Sequence, residues 1–321
     1  MQNDKISNIT VLGAGTMGSA IAQFFAGRGF DLALYSRTEK TLANALQSIR
    51  ENVIMEAALK AGKDPDPECG TKADEVIGRI TTYTDLAEAC RNADWVIETV
   101  AENADVKKAV IEAADRAMPA GACLTSDTSA LNIYRFLETG RPDRVMITHF
   151  FNPASVMPLV EMVPGPETSS ETVACLKEFL EKTGKQPIVI KECIPGFIAN
   201  RLTLALAREA YYLAGQGYAS IDDIDKVITT TFGPRYVFEG IFDLYDHIGM
   251  DVGYAVAKDL LPKLCSSTEV PELMKRKLEA GELGVKTGKG LKDYTGKDPA
   301  EIKKERNRKV IESFSYIERL F

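Results

Sequence analysis

The sequence predicts an α/β fold, a doubly wound sheet followed by an all-α C-terminal domain, and three observations carry that expectation. Short apolar runs alternate with longer amphipathic segments over about the first 190 residues. A turn with glycines at positions 13, 15 and 18 directly follows the first of those runs. After Ile194 the strand signal stops and only helical patterns remain.

Taken in order, residues 9–12, 32–35, 95–100, 123–127, 145–150 and 187–190 are apolar and β-like. Residues 38–60, 106–118 and 171–182 between them carry the helical spacing of apolar side chains. Strands alternating with helices predict a parallel sheet covered on both faces. A polar, proline-containing stretch, 62–70, reads as an exposed loop. Pro195-Gly196 punctuates the chain, and 197–215 then reads as one long helix. Ser220, with Asp223 three residues on, marks another helix start. The charged stretch 298–309 reads as a solvated helix, and the boundary between the two domains is placed near Cys193, giving 1–193 and 194–321.

Composition narrows the function classes. Of the 321 residues 45% are hydrophobic and 26% charged, which fits a globular chain of two domains. A net charge of −7 gives no support to nucleic-acid binding, which needs a concentrated basic face. The six cysteines lack C-x-x-C spacing, so neither a zinc site nor a disulfide framework is expected, and a reducing compartment is. Two histidines, His149 and His247, do not make a histidine-rich metal centre, and no metal is expected. The start, MQNDKISNITVLG, lacks the basic and apolar regions of a leader, and no run approaches a membrane span. The expectation is a cytoplasmic protein with a small-molecule substrate.

The segment ITVLGAGTMGSAIA gives the glycine turn a chemical meaning. It lies between a predicted strand and a predicted helix, the context in which G-x-G-x-x-G spacing indicates a Rossmann-type dinucleotide site. Gly13 permits the tight turn, Gly15 lets the backbone approach a pyrophosphate, and Gly18 lets helix and strand come close. Thr16 and Met17 open the helix, whose free N–H groups favour phosphate. A glycine-rich turn without a ligand is the plainer reading. At the end of the second strand, where an acid would hold an adenosine ribose, the sequence has Ser36 and Arg37. A neutral serine beside an arginine suits a 2′-phosphate, so NADP is expected, with NAD as the alternative if Arg37 is only a surface residue.

His149 ends a predicted strand, where α/β enzymes collect functional groups, and an imidazole is suited to moving a hydroxyl proton. Glu161, in an otherwise apolar run beyond a proline-containing turn, needs a partner, and could orient that ring. Spacing alone leaves a strand-end histidine and an edge-facing glutamate equally open.

Read together, the glycine turn, SDTS (126–129), HFFNP (149–153), Glu161, PGFIANR (195–201) and GVKTGKG (284–290) resemble the L-3-hydroxyacyl-CoA dehydrogenase family, in the same order and over nearly the whole chain. The resemblance implies a dehydrogenase that moves hydride between NAD(P) and a 3-hydroxy or 3-keto group. It implies His149 as general base or acid with Glu161 orienting it, and Ser129 and Asn200 on the substrate oxygen. Glu102 and Lys107 match family residues near the cofactor ribose, and Asn152 and Lys286 others near the nicotinamide. The first domain would then bind NAD(P), and the helical domain would serve substrate binding and formation of a homodimer. His247 has no such counterpart and reads as structural.

The chain departs from that family at informative places. Asp127 stands where the family has asparagine, and Ile241 where it has proline. The helical arm 55–75, which resembles the segment that contacts coenzyme A, holds three lysines against six acids, unsuited to a polyanionic handle. A 3-hydroxyacyl-CoA is the first expectation for the substrate. A free hydroxy acid (a sugar acid, a carnitine-like molecule or a pyridine carboxylate) is the alternative.

Overall fold

The computed structural model describes residues 6–317 and divides them into two compact units, 6–198 with 307–317, and 199–306. Residues 1–5, on which part of the argument against a leader rests, lie outside the described residues.

The first unit runs β1 (Asn8–Leu12), α1 (Thr16–Ala26), β2 (Asp31–Tyr35), α2 (Glu39–Ala61), α3 (Pro67–Gly78), β3 (Ile80–Tyr83), α4 (Leu86–Cys90) and β4 (Trp95–Glu98). It continues with α5 (Ala104–Ala117), β5 (Cys123–Ser126), β6 (Val145–Phe150), β7 (Leu159–Pro164), α6 (Ser170–Lys182) and β8 (Gln186–Val189). The eight strands form one sheet in the order β3-β2-β1-β4-β5-β6-β7-β8. Pairing is parallel except between β6 and β7, so the sheet is mixed where the alternation of elements predicts a parallel one. The exception arises because a short turn, not a crossover helix, joins β6 to β7.

One face buries Ile9 and Val11 against Ile21 and Phe25 of α1, Ile49 of α2 and Leu176 of α6. The other buries Leu12 and Val96 against Cys90, Ile111 and Ala114 of α4 and α5. With apolar cores on both faces, β4 is wholly buried, and each fully buried large apolar side chain contributes roughly 1.5–3 kcal/mol.

Several boundaries differ from the sequence reading. The loop at 62–70 ends early, since Asp66 caps a helix that begins at Pro67 by accepting the Cys69 N–H. β4 stops at Glu98 and not at 100, because the Glu98 carboxylate takes the Val100 N–H. The helix expected from 197 starts at Ala199, after Phe197 adopts a left-handed φ of 51°.

The second unit is helical: α7 (Ala199–Gly215), α8 (Ile221–Val227), α9 (Gly233–Tyr236), α10 (Ile241–Ile248), α11 (Met250–Leu260), α12 (Glu272–Glu279) and the first part of α13 (Pro299–Ile317). Ser220 caps α8 as its spacing predicts. The charged segment expected as a solvated helix is α13, which also buries Ile311. No helix among the described residues is long and apolar enough to cross a membrane.

Candidate functional site

The ends of β2 and β4 meet the glycine turn, where the Gly13 N–H donates to Tyr35 O and Thr99 lies against Gly13. Gly13 has a φ of +119°, open to glycine and strained for other residues, and a Cβ there would meet Thr99 Oγ1 at 2.8 Å. A Cβ on Gly18 would collide with the Gly13 carbonyl oxygen, so α1 can pack this closely on β1 only with glycine there. Thr99, just past β4, donates from Oγ1 to Gly13 O at 3.1 Å and ties the two strand ends together. Gly15, by contrast, has open space where a Cβ would stand and is exposed with Thr16. Met17 packs partly against the core. The 11-residue helix α1 has no side-chain N-cap and no acid in its first turn. Its leading N–H groups and partial positive charge therefore suit a pyrophosphate, and the cradle fits a dinucleotide. Ser36 is half-buried and donates its N–H to Tyr83 O, while Arg37 is exposed.

His149 and Glu161 face each other directly in the antiparallel register of β6 and β7. His149 Nδ1 lies 2.8 Å from Glu161 Oε2, with the imidazole 7% exposed and the carboxylate fully buried. Glu161 Oε1 accepts the Ile198 N–H at 2.9 Å. The rings of Phe151 and Phe197 lie 4.5 and 5.7 Å from the imidazole between centroids. With Nδ1 engaged, Nε2 has no hydrogen-bond partner among the described residues and is left for proton exchange.

A second polar cluster lies at the ends of β4 and β5. Lys107 is 1% exposed, and its Nζ reaches Glu98 Oε1 at 2.9 Å, Glu98 Oε2 at 3.1 Å and Glu102 Oε2 at 3.3 Å. Its ammonium is thus held between the two carboxylates, inside the protein. Glu102 Oε1 accepts from Thr128 Oγ1 at 2.7 Å, Ser129 N at 2.9 Å and Ala130 N at 3.1 Å. Burial pushes the Glu102 carboxyl up, but the Thr128 hydroxyl, the Lys107 charge and these N–H groups outweigh it and hold it below its ordinary value. Glu102 therefore organises the SDTS turn and leaves Ser129 exposed on it. Asn152 is exposed before a cis-proline, Pro153.

Asn200 opens α7, and Lys286 is exposed in the short turn Val285–Thr287; both belong to the second unit. His247 is exposed on α10, with Nδ1 3.1 Å from Glu239 Oε2. Sequence reasoning missed Glu98, whose signal is a carboxylate closing the apolar strand WVIE, and Asp127 as a buried group.

Residues 8–193 match the family described as 3-hydroxyacyl-CoA dehydrogenase, NAD binding domain, and residues 196–294 match 3-hydroxyacyl-CoA dehydrogenase, C-terminal domain. The chain is 36% identical over 295 residues to a probable 3-hydroxybutyryl-CoA dehydrogenase of Bacillus subtilis, covering 91% of this chain and 99% of that one. It is 29% identical over 309 residues to the 5-formyl-3-hydroxy-2-methylpyridine 4-carboxylate 5-dehydrogenase of Mesorhizobium japonicum, covering 95% and 96%. A crystal structure of an enzyme of the latter kind, described as an NAD+ dependent dismutase, superposes with a TM-score of 0.87 at 27% identity, covering 98% of this chain and 99% of that one.

Proposed function

Because this chain belongs to the 3-hydroxyacyl-CoA dehydrogenase family of CH–OH oxidoreductases, NAD-binding domain included, we propose that it oxidises a hydroxyl-bearing carbon, or reduces the ketone, of a free hydroxy carboxylate through His149 and Glu161. The carrying observation is the 2.8 Å contact between a nearly buried imidazole and a fully buried carboxylate.

In the oxidative direction His149 Nε2 takes the hydroxyl proton, and Glu161 holds the tautomer and stabilises the imidazolium. When bound, the nicotinamide supplies the hydride acceptor. In reduction the protonated imidazole returns the proton to the forming alkoxide. Ser129 and Asn200 are assigned to the substrate oxygen by their match to the family motifs, as Asn152 and Lys286 are to the nicotinamide end.

The free carboxylate is preferred over a coenzyme A thioester because six acids outnumber three lysines in the arm, and one of those lysines is already engaged. Lys63 pairs with Asp66 and Glu68, and Arg50 with Asp74. The extent of the match to the pyridine carboxylate enzyme points the same way. A 3-hydroxyacyl-CoA is the second reading, favoured by the higher identity to the B. subtilis protein. Ser36 and exposed Arg37 support NADP, whereas the family's NAD-binding domain supports NAD as the alternative. A homodimer built on the helical unit completes the proposal.

One screen tests substrate and cofactor together: 3-hydroxyacyl-CoA thioesters and free hydroxy acids, each with NADP+ and NAD+, followed by nicotinamide absorbance. Turnover of free acids with a higher kcat/KM for NADP+ is expected. Turnover of thioesters alone overturns the substrate assignment, and a kcat/KM for NAD+ equal or higher overturns the cofactor assignment.

A further inference from the structure

Asp127 follows β5 and is 8% exposed. Its backbone N–H donates to Glu98 O at 2.7 Å, and its Oδ1 accepts the N–H of Phe150, the residue after His149, at 2.8 Å. The β5–β6 pairing ends at Ser126 and Ile147, so this side chain carries the connection on to the end of β6. Oδ2 has no hydrogen-bond partner among the described residues.

The surroundings hold too many acids for the available cation. Glu98 on β4, Glu102 on the loop after it and Asp127 gather around one ammonium, that of Lys107 on α5. Lys107 aims its Nζ at both oxygens of Glu98, at Glu102 and at Val100 O, leaving none of its hydrogens for Asp127. His149, on β6 beside Phe150, is committed to Glu161. Ionising all three acids would leave two negative charges unbalanced, one on a buried group bonded only to a neutral N–H.

We infer that Asp127 works as a neutral carboxylic acid, a positioning residue that holds Phe150, and through it His149, as an asparagine would. Burial pushes its carboxyl well above the ordinary range; the Phe150 N–H and Lys107 pull against this, and Glu98 and Glu102 add to it. The catalytic part of the inference rests on the dehydrogenase reading, whereas the protonation state does not.

The sign of the pH effect follows. Between the ordinary carboxylate pKa and the raised one, the folded state holds a proton that the unfolded chain has lost, so stability falls as pH rises through that window. Asparagine removes that loss. The test compares wild type, Asp127→Asn and Asp127→Ala as full-length protein. The Tm advantage of Asp127→Asn over wild type should grow from pH 4 to pH 8, with kcat/KM kept within about twofold, while Asp127→Ala loses about tenfold by freeing the Phe150 N–H. An Asn variant less stable than wild type at pH 8, or with a Tm difference flat across that range, overturns the neutral acid. An Asn variant as stable as expected but as slow as Asp127→Ala overturns the positioning role. If no variant and no wild-type protein turns over any substrate, the dehydrogenase reading falls and the Tm series still decides the protonation state.

Discussion

Each partner of His149 comes from a backbone feature with a definite cause. The antiparallel register sets Glu161 opposite the ring, and the turn at Phe197 sends the Ile198 N–H to the same carboxylate. Phe197 holds a left-handed φ of 51° although it is not glycine, a conformation costing on the order of 1–3 kcal/mol. It is fully buried, and its ring stands 5.7 Å from the imidazole, so packing beside His149 offsets the strain. Replacing the ring with an amide keeps the volume close while removing the ring nitrogen that exchanges the proton. His149→Gln should lower kcat by about 10²–10⁴-fold. Cofactor affinity, read by fluorescence titration, should be unchanged, because the glycine turn is untouched. Turnover near the wild-type rate would remove His149 from the proton-transfer role.

At the scale of elements, the turn from β6 to β7 that carries Asn152 is clasped from below. Lys185, just before β8, is 3% exposed and donates from Nζ to Ala154 O and Met157 O, each at 2.6 Å, with the Phe24 ring face 3.8 Å away. Glu56 of α2 accepts from Ser155 of the same turn and from Gln23 of α1. Burial lowers the Lys185 pKa to about 7, Arg28 adds repulsion and Glu56 opposes both. A neutral amine still has two hydrogens for the two carbonyls. The unfolded chain keeps this proton to about 10.4. Between the two values the unfolded state therefore binds more protons, and stability rises with pH. The Tm of wild type minus that of Lys185→Met should widen from pH 6 to pH 9; a constant or narrowing gap would refute this titration. Neither Lys185 nor Glu56 was legible in the sequence, since each acts through a contact between segments far apart in the chain. The glycine turn and β6 were legible, because local spacing defines them. β3 was missed: only Ile80 of its ITTY is buried, as befits a polar edge strand. β7 read as an apolar run because its partner, and so its antiparallel register, lies outside any local window.

For the whole molecule, the contrast between the two units carries the argument. The sheet unit buries apolar side chains on both faces, whereas in the described residues of 199–306 only Gly253 and Gly290 are buried. Leu204 is 66% exposed, Phe242 84%, Tyr254 69% and Leu278 69%. Side chains of this kind, spread over α7, α10, α11 and α12, form a far larger apolar surface than a monomer ordinarily shows to water. A second copy is the proposed occupant, since two copies of one such surface cover each other in a two-fold dimer, and obligate interfaces of this character bury about 2,000–5,000 Å². The net charge of −7 per chain opposes association only weakly at physiological salt, where the screening length is about 8 Å. Light scattering should therefore give twice the chain mass of 35.2 kDa. Leu204→Glu with Phe242→Glu should shift the population toward monomer and lower Tm, because a buried charge replaces apolar contact on both sides of the axis. A wild-type protein that scatters as a monomer at micromolar concentration would end the dimer proposal.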